Sequence, residues 1–252
     1  MATRYSDVLA ELGPRIVNGG LPVGAKITLE WLCDEYAVSR SIGREVVQVL
    51  VSMGLLESRR RTGLRVLPQD EWDAFDPAVI RWRLEGGQRA FHLHELSQLR
   101  AAVEPMSAAL AAGRATPEQR AEVVRLAALM EDTGAAGDLR TFLEHDVAFH
   151  RLLLTASGNA MFAALCDVVE EVLRGRTDHD LMPPEPKPEA RRLHVMVAQA
   201  VAAGDPDVAR AAMSTICLEV ASEMAEVAGP GHAGGRAPVT SRPTGRTRPR
   251  KR

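Results

Sequence analysis

Asp146 and His150 stand four residues apart in a stretch with helical patterning, so their side chains share one face. His194 falls in a later helix. A carboxylate and two imidazoles brought together can ligate a divalent metal and leave positions open for water or an anionic ligand. The same pair at this spacing also serves as a plain hydrogen bond, and spacing alone does not separate the two uses. Arg100 carries a planar fork suited to a carboxylate. Its alternative is a surface ion pair with Glu104, four residues on. Asn159, after Ser157 and Gly158, can bond a ligand or cap the helix that follows. Another set lies near the N-terminus, where Ser39, Arg40, Ser41, Ile42 and Arg44 open a helix. In a major groove, Arg40 can read a guanine edge, while the serines and the helix N-terminus suit phosphate oxygens. The turn Arg59, Arg60, Arg61, Thr62 and Gly63 suits phosphate or minor-groove contact, or is simply a solvated loop.

The elements that must position these residues follow from periodicity. Val8, Leu9, Leu12, Ile16 and Val17 recur at helical spacing over Tyr5 to Val17, and Asn18-Gly19-Gly20 ends that run. Thr28 caps a short second helix with Leu29, Leu32 and Cys33 inward. Ser39 caps a third that reaches about Met53, where Gly54 closes it in left-handed geometry. Two short strands follow, at Leu55 to Ser58 and Leu64 to Leu67, joined by the basic turn. Helix, turn, helix and a two-stranded wing are the parts of a winged helix-turn-helix. Beyond a linker and a short helix near Pro77 to Leu84, the chain reads as about six alanine-rich helices, and alanine lets helices approach closely in a bundle. The fold class expected is therefore mainly α. A winged helix-turn-helix DNA-binding domain occupies 1–68, a linker and short helix 69–89, and an all-α effector-binding and dimerisation domain 90–228. A disordered basic tail fills 229–252.

The formal net charge of −2 hides segregation. Residues 1–68 hold nine basic and seven acidic side chains, residues 69–228 fifteen and twenty-six, and residues 229–252 seven and none. The near-neutral sum thus excludes nothing about DNA, and the tail offers either a solubilising segment or an extra phosphate-binding arm. Three scattered cysteines argue for a reduced, cytoplasmic protein without a disulfide framework. No apolar run is long enough for a membrane span, and the first ten residues lack a secretory layout. An enzyme is disfavoured: no His-Glu-x-x-His, nucleophile elbow or phosphate loop occurs, and the metal candidates have no matched general base.

The order and spacing of Ile16-Val-Asn-Gly-Gly-Leu-Pro-Val-Gly, Tyr36-Ala-Val-Ser-Arg-Ser-Ile-Gly-Arg-Glu-Val, Gly54-Leu-Leu-Glu and Arg61-Thr-Gly-Leu-Arg-Val resemble the DNA-binding domain of GntR-family bacterial transcription regulators. The runs Leu99 to Met106, Glu144 to Asn159 and His194 to Met213 resemble the FCD-type ligand-binding domain of the FadR subfamily. Trp72 to Leu84 is further similar to members that control sugar-acid and hydroxy-acid catabolism.

The resemblance implies a homodimer, more often a repressor, that leaves a pseudo-palindromic double-stranded operator when a small carboxylate binds. It implies Arg40 and Arg44 as principal DNA contacts, assisted by Ser39, Ser41 and the wing around Gly63. Many members carry an arginine early in the second helix where this chain has Glu30, so that phosphate contact is expected to be missing. The subfamily's one Asp and three His for a divalent metal (zinc, nickel or manganese) map to Asp146, His150, His194 and Ile216, and isoleucine cannot ligate. The site is then a three-ligand centre completed by water or effector, or a pocket without metal. Arg100 maps to an arginine that points into the cavity. His92, His94, His145 and His179 match no role and are expected at the surface. The rival readings are a constitutive or metal-free regulator, a metal-dependent hydrolase fused to a DNA-binding head, and a structural nucleoid protein.

Overall fold

The computed structural model describes residues 4–59, 63–179, 181 and 186–229. The basic tail beyond Gly229 and the wing-tip residues Arg60, Arg61 and Thr62 lie outside the described residues.

The N-terminal unit begins with α1 (Arg4–Val17), β1 (Lys26–Ile27), α2 (Leu29–Glu35) and α3 (Arg40–Ser52), followed by β2 (Leu56–Arg59) and β3 (Gly63–Val66). The caps are those expected. Thr28 Oγ1 accepts from Trp31 N–H at 3.0 Å and Ser39 Oγ from Ile42 N–H at 3.4 Å, each contributing about 1 kcal/mol to its helix. Gly54 has φ +71°, and a Cβ there would lie 2.2 Å from the Glu71 carbonyl oxygen, so the turn admits only glycine. Gly43 sets the crossing of α2 and α3, since a Cβ would sit 2.8 Å from Cys33 Sγ. The wing is a three-stranded antiparallel sheet in the order β1-β3-β2, where the sequence suggested a hairpin. Ile27 opposes Leu64, and Glu57 opposes Arg65. A two-residue strand has no period to detect, which is why β1 escapes a sequence reading.

A one-turn 3-10 helix at Gln69–Glu71 leads to α4 (Pro77–Leu84), which has two buried faces. Val79 and Trp82 join the core of the N-terminal unit, with Leu12, Val46 and Leu50. Ile80 and Leu84 join Leu93, Leu96, Val172 and Met224 on the other side. Both contacts are made onto glycine. A Cβ at Gly13 of α1 would lie 2.3 Å from the Trp82 ring, and one at Gly175 would lie 2.6 Å from Leu84 Cδ1.

The remaining helices are α5 (Arg89–Arg114), α6 (Pro117–Ala135), α7 (Leu139–Ala156), α8 (Ala160–Ala163), α9 (Cys166–Asp178), α10 (Pro188–Ala203) and α11 (Pro206–Ala228). The six long ones match the periodicity. The single turn α8 stands apart from α9 as an additional short element. Asp205 starts α11 as its Asp-Pro pair predicts, its Oδ1 accepting from Val208 N–H at 3.1 Å. Ala108, Ala111 and Ala112 of α5 are buried against Ala209, Ala212 and Met213 of α11 in one core. Small side chains let these two long helices lie close, and together they form the wall behind the site.

His92 corrects the expectation of a surface histidine. It is 3% exposed, and its Nδ1 lies 3.3 Å from Glu95 Oε2. Burial, reinforced by the charge of Arg83, lowers its pKa to about 4. His94, His145 and His179 are half-buried.

Candidate functional site

The first residues of α3 present a polar, open face. Ser39, Arg40, Ser41 and Arg44 are all exposed. A groove between α3 and the wing is lined by Arg44, Gln48, Arg59 and Gly63. Arg40 is not free in the groove's rim: its Nη2 lies 3.3 Å from Glu30 Oε1, with the side chains 69% and 61% exposed. Glu30 thus does more than withhold a phosphate contact, because it holds the guanidinium that opens α3. An exposed pair of this kind is worth roughly 0–1 kcal/mol. Glu30→Gln is therefore expected to tighten binding to any DNA by a few-fold, measured by fluorescence anisotropy at fixed salt. Unchanged affinity would mean that the pair dissolves before DNA arrives. Gly63 is also fixed by its own sheet. Its φ is +83° and a Cβ would lie 2.8 Å from the Ile27 carbonyl oxygen, so the β1–β3 contact itself requires glycine. Arg59 ends β2, and its Nε pairs with Glu57 at 2.9 Å.

The second locus is a cavity in the helical bundle. Asp146 and His150 come from α7 and His194 from α10, all buried. Their ligating atoms lie within 4.8 Å of one another. His194 Nδ1 is 2.7 Å from the Ala190 carbonyl, which can only accept, so the proton sits on Nδ1 and Nε2 offers its lone pair inward. His150 Nδ1 faces Glu104 Oε2 at 2.5 Å, which likewise turns Nε2 inward. The two Nε2 atoms lie 3.3 and 3.4 Å from the same Asp146 Oδ1. Neither approach is a hydrogen bond, and Asp146 Oδ1 and His194 Nε2 are buried without a hydrogen-bond partner. Three potential ligand atoms at one point, with both histidine rings held by outer contacts, fit a divalent cation, although Arg100 Nη2 also lies 3.4 Å from His150 Nε2. Burial opposes the Asp146 carboxylate, yet the imidazoles of His150 and His194 lower its pKa far below the usual range. Burial likewise opposes a charged His150, but the carboxylates of Glu104 and Asp146 raise its pKa to about 9, so a cation binding there at neutral pH must displace the proton from Nε2.

Behind the triad, Arg100 and Glu104 of α5 are 3% and 2% exposed, with Arg100 Nε 2.5 Å from Glu104 Oε1. The i, i+4 pair weighed from the sequence is present, but in the core and not at the surface. Ile216 and His194 both line the cavity, so the position of the missing fourth ligand faces the site with a hydrocarbon side chain. Cys217 turns away, its Sγ 3.9 Å from Glu104 Oε2, and burial raises its pKa well above the usual thiol range.

Two family models cover most of the described chain. Residues 4–66 match the model of bacterial regulatory proteins of the gntR family, and residues 95–217 match the FCD domain. The chain is 30% identical over 207 residues to the HTH-type transcriptional regulator Rv0494 of Mycobacterium tuberculosis, covering 81% of this chain and 82% of that protein. The chain belongs to the GntR family. The regulator is also 29% identical over 222 residues to the galactonate operon transcriptional repressor of Escherichia coli K12, covering 87% of this chain and 96% of that protein. A solved structure of Lar from Listeria monocytogenes shares its fold, with TM-score 0.58 at 16% identity over 89% of this chain and 97% of that one. The regulator's FCD domain is the helical bundle that carries Asp146, His150 and His194. No helix among its described residues is long and apolar enough to cross a membrane.

Not every expected site residue reaches the cavity. Asn159 caps α8, its Oδ1 accepting from Met161 N–H at 3.0 Å, and is not among the lining residues. Arg100 does line it. Two participants escaped the sequence reading. Glu104 was visible only as a pairing partner, since nothing in its spacing tells that α7 and α11 cover it. Arg176 on α9 lines the cavity at 7% exposure, and a lone arginine late in a helix carries no motif.

Proposed function

We propose that this regulator is a dimeric repressor whose FCD cavity binds a small carboxylate, a sugar acid or hydroxy acid, and so releases a pseudo-palindromic operator. The observation that carries the reading is the convergence of Asp146 Oδ1, His150 Nε2 and His194 Nε2 in a cavity that also contains guanidinium groups. Asp146, His150 and His194 would hold a divalent metal, zinc, nickel or manganese, which when bound supplies a Lewis-acidic anchor for ligand oxygens. Glu104 fixes the ring of His150, and the Ala190 carbonyl fixes that of His194. The hydrocarbon at Ile216 leaves one coordination position to water or ligand. The likeness to a galactonate operon repressor supports a sugar acid as the effector class.

On the DNA side, Arg40 and Arg44 read or clamp the major groove from the start of α3, with Ser39 and Ser41 on phosphates. The wing contributes Arg59, along with Arg61 and Thr62 from the tip outside the described residues. Gly63 shapes the wing and need not touch DNA. Effector binding favours a dimer spacing that no longer fits two half-sites, which requires different effector affinities for the two states.

The test is a titration of operator-bound protein with galactonate, with zinc present and after chelation. Release is expected with metal, and release weakened at least tenfold after chelation or in His194→Ala, with DNA affinity unchanged when effector is absent. Operator affinity unmoved by galactonate, gluconate and lactate alike would defeat the sensor reading. Release that ignores chelation would favour a metal-free pocket.

A further inference from the structure

The cavity contains two buried guanidinium groups whose surroundings differ. Arg100 is matched within the fold, because Glu104 is buried beside it at 2.5 Å. Arg176 is not. It is 7% exposed, and its Nε has no hydrogen-bond partner. Its contact with a carboxylate is long, 3.5 Å from Nη2 to Glu223 Oε2. Glu223 is also drawn toward Lys187, whose Nζ lies 2.6 Å from Glu223 Oε1 and 2.8 Å from Glu219 Oε1. A buried charged donor without a partner costs free energy, and proteins retain such groups where something else completes them.

We propose that Arg176 receives the carboxylate of the effector, and that Arg100 serves instead to hold Glu104 against His150. This deepens the sensor reading above and rests on it. The cavity then offers two sets of polar partners. The fork of Arg176 offers Nε–H and Nη–H to two carboxylate oxygens. Asp146, His150 and His194, with or without a metal, meet hydroxyl oxygens. Phe142, Leu173 and Ile216 of the same lining supply apolar wall for a carbon chain. The ligand class that satisfies both sets is a short hydroxylated monocarboxylate. A neutral sugar or an amide can accept one of these N–H groups, but it leaves the guanidinium charge unmatched and cannot offer the paired oxygens of a carboxylate. Burial, with the charge of Arg100 adding to it, lowers the Arg176 pKa to about 10, so the guanidinium stays charged at neutral pH.

The experiment is calorimetry on the full-length protein in zinc-supplemented buffer, with galactonate, L-lactate and the corresponding neutral amides as probes. The wild type is expected to prefer a carboxylate over its amide by about thirtyfold, the scale of a hydrogen-bonded charge. Arg176→Gln is expected to abolish that preference by weakening the acid alone, with zinc content and effector-free operator affinity unchanged. A variant that keeps the wild-type preference, or that weakens acid and amide equally, overturns the assignment and leaves the sensor reading standing. Binding of none of the probes by the wild type overturns both. Should Arg176→Gln fail to fold, Glu223→Gln decides: freeing the guanidinium should tighten the acid several-fold, and no tightening counts against the assignment.

Discussion

Glu104→Ala is expected to destabilise the protein by about 3–5 kcal/mol, the usual cost of stranding a buried charge. Arg100 would lose the carboxylate 2.5 Å from its Nε, and His150 the oxygen 2.5 Å from its Nδ1. No water can replace it cheaply, because Glu104 is 2% exposed and is covered by α7 and α11. Denaturant unfolding at neutral pH measures the loss. Two controls sharpen the result. Glu104→Gln keeps the shape and should cost less, since its amide oxygen can still accept from Arg100. The paired change Arg100→Met with Glu104→Met should cost less than either single alanine, since buried ion pairs replaced whole are often close to neutral. A cost under about 1 kcal/mol for Glu104→Ala would show that the interior relaxes around the vacated charge. The same variant should bind zinc less tightly, as the loss of an outer partner of a ligating histidine typically costs 10- to 100-fold in affinity.

Arg40→Ala is expected to remove specific DNA recognition. A bidentate arginine-to-guanine contact is worth about 1–3 kcal/mol, so a dimer on two half-sites would lose about 2–6 kcal/mol. Arg40 touches nothing in the protein interior, being 69% exposed with Glu30 as its partner, so the fold should be intact. Non-specific affinity should fall only slightly if, as proposed above, the phosphate contacts are made by Ser39, Ser41, Arg44 and the wing. Competition between operator and random duplex at one fixed salt concentration separates the two. Equal losses on both duplexes would assign Arg40 to phosphate. No loss on either would move the reading surface elsewhere.

Much of the DNA-binding unit was legible in the sequence because its signals are local. Thr28 and Ser39 announce helix starts by their chemistry, and Gly54 announces an end by its conformation. Asp146 and His150 were legible for the same reason, since a helix fixes their common face. What was hidden depends on distant segments. The spacing of Arg100 and Glu104 implied a pair, but whether that pair meets solvent is decided by α11, more than a hundred residues later. His92 looked solvent-facing because histidines usually are, and in the structure it borders a cavity that the linker residues Trp72 and Phe75 also line. Gly63 carries a further role that spacing does not show, since the missing side chain lets the Ile27 carbonyl of its own sheet come close. Arg176 is the extreme case, a solitary cation whose meaning exists only in the cavity it faces.

The placement of α4 bears on how a message could leave that cavity. This helix leans on bare backbone at both ends of its contact, on Gly13 with Trp82 and on Gly175 with Leu84. Arg81 adds a clasp to Glu171 of α9, with Nε 3.0 Å from Oε2. Gly175 precedes Arg176, so the residue that supports α4 and the one that faces the cavity are neighbours in sequence. Side chains at such junctions usually act as springs, since their rotamers can absorb a small displacement. Here one side of each junction has no rotamers. A displacement of α9 would meet adjustable side chains on only one side of each junction, and α4 is the element that touches both halves of the molecule. How closely those halves approach is set by two missing methyl groups.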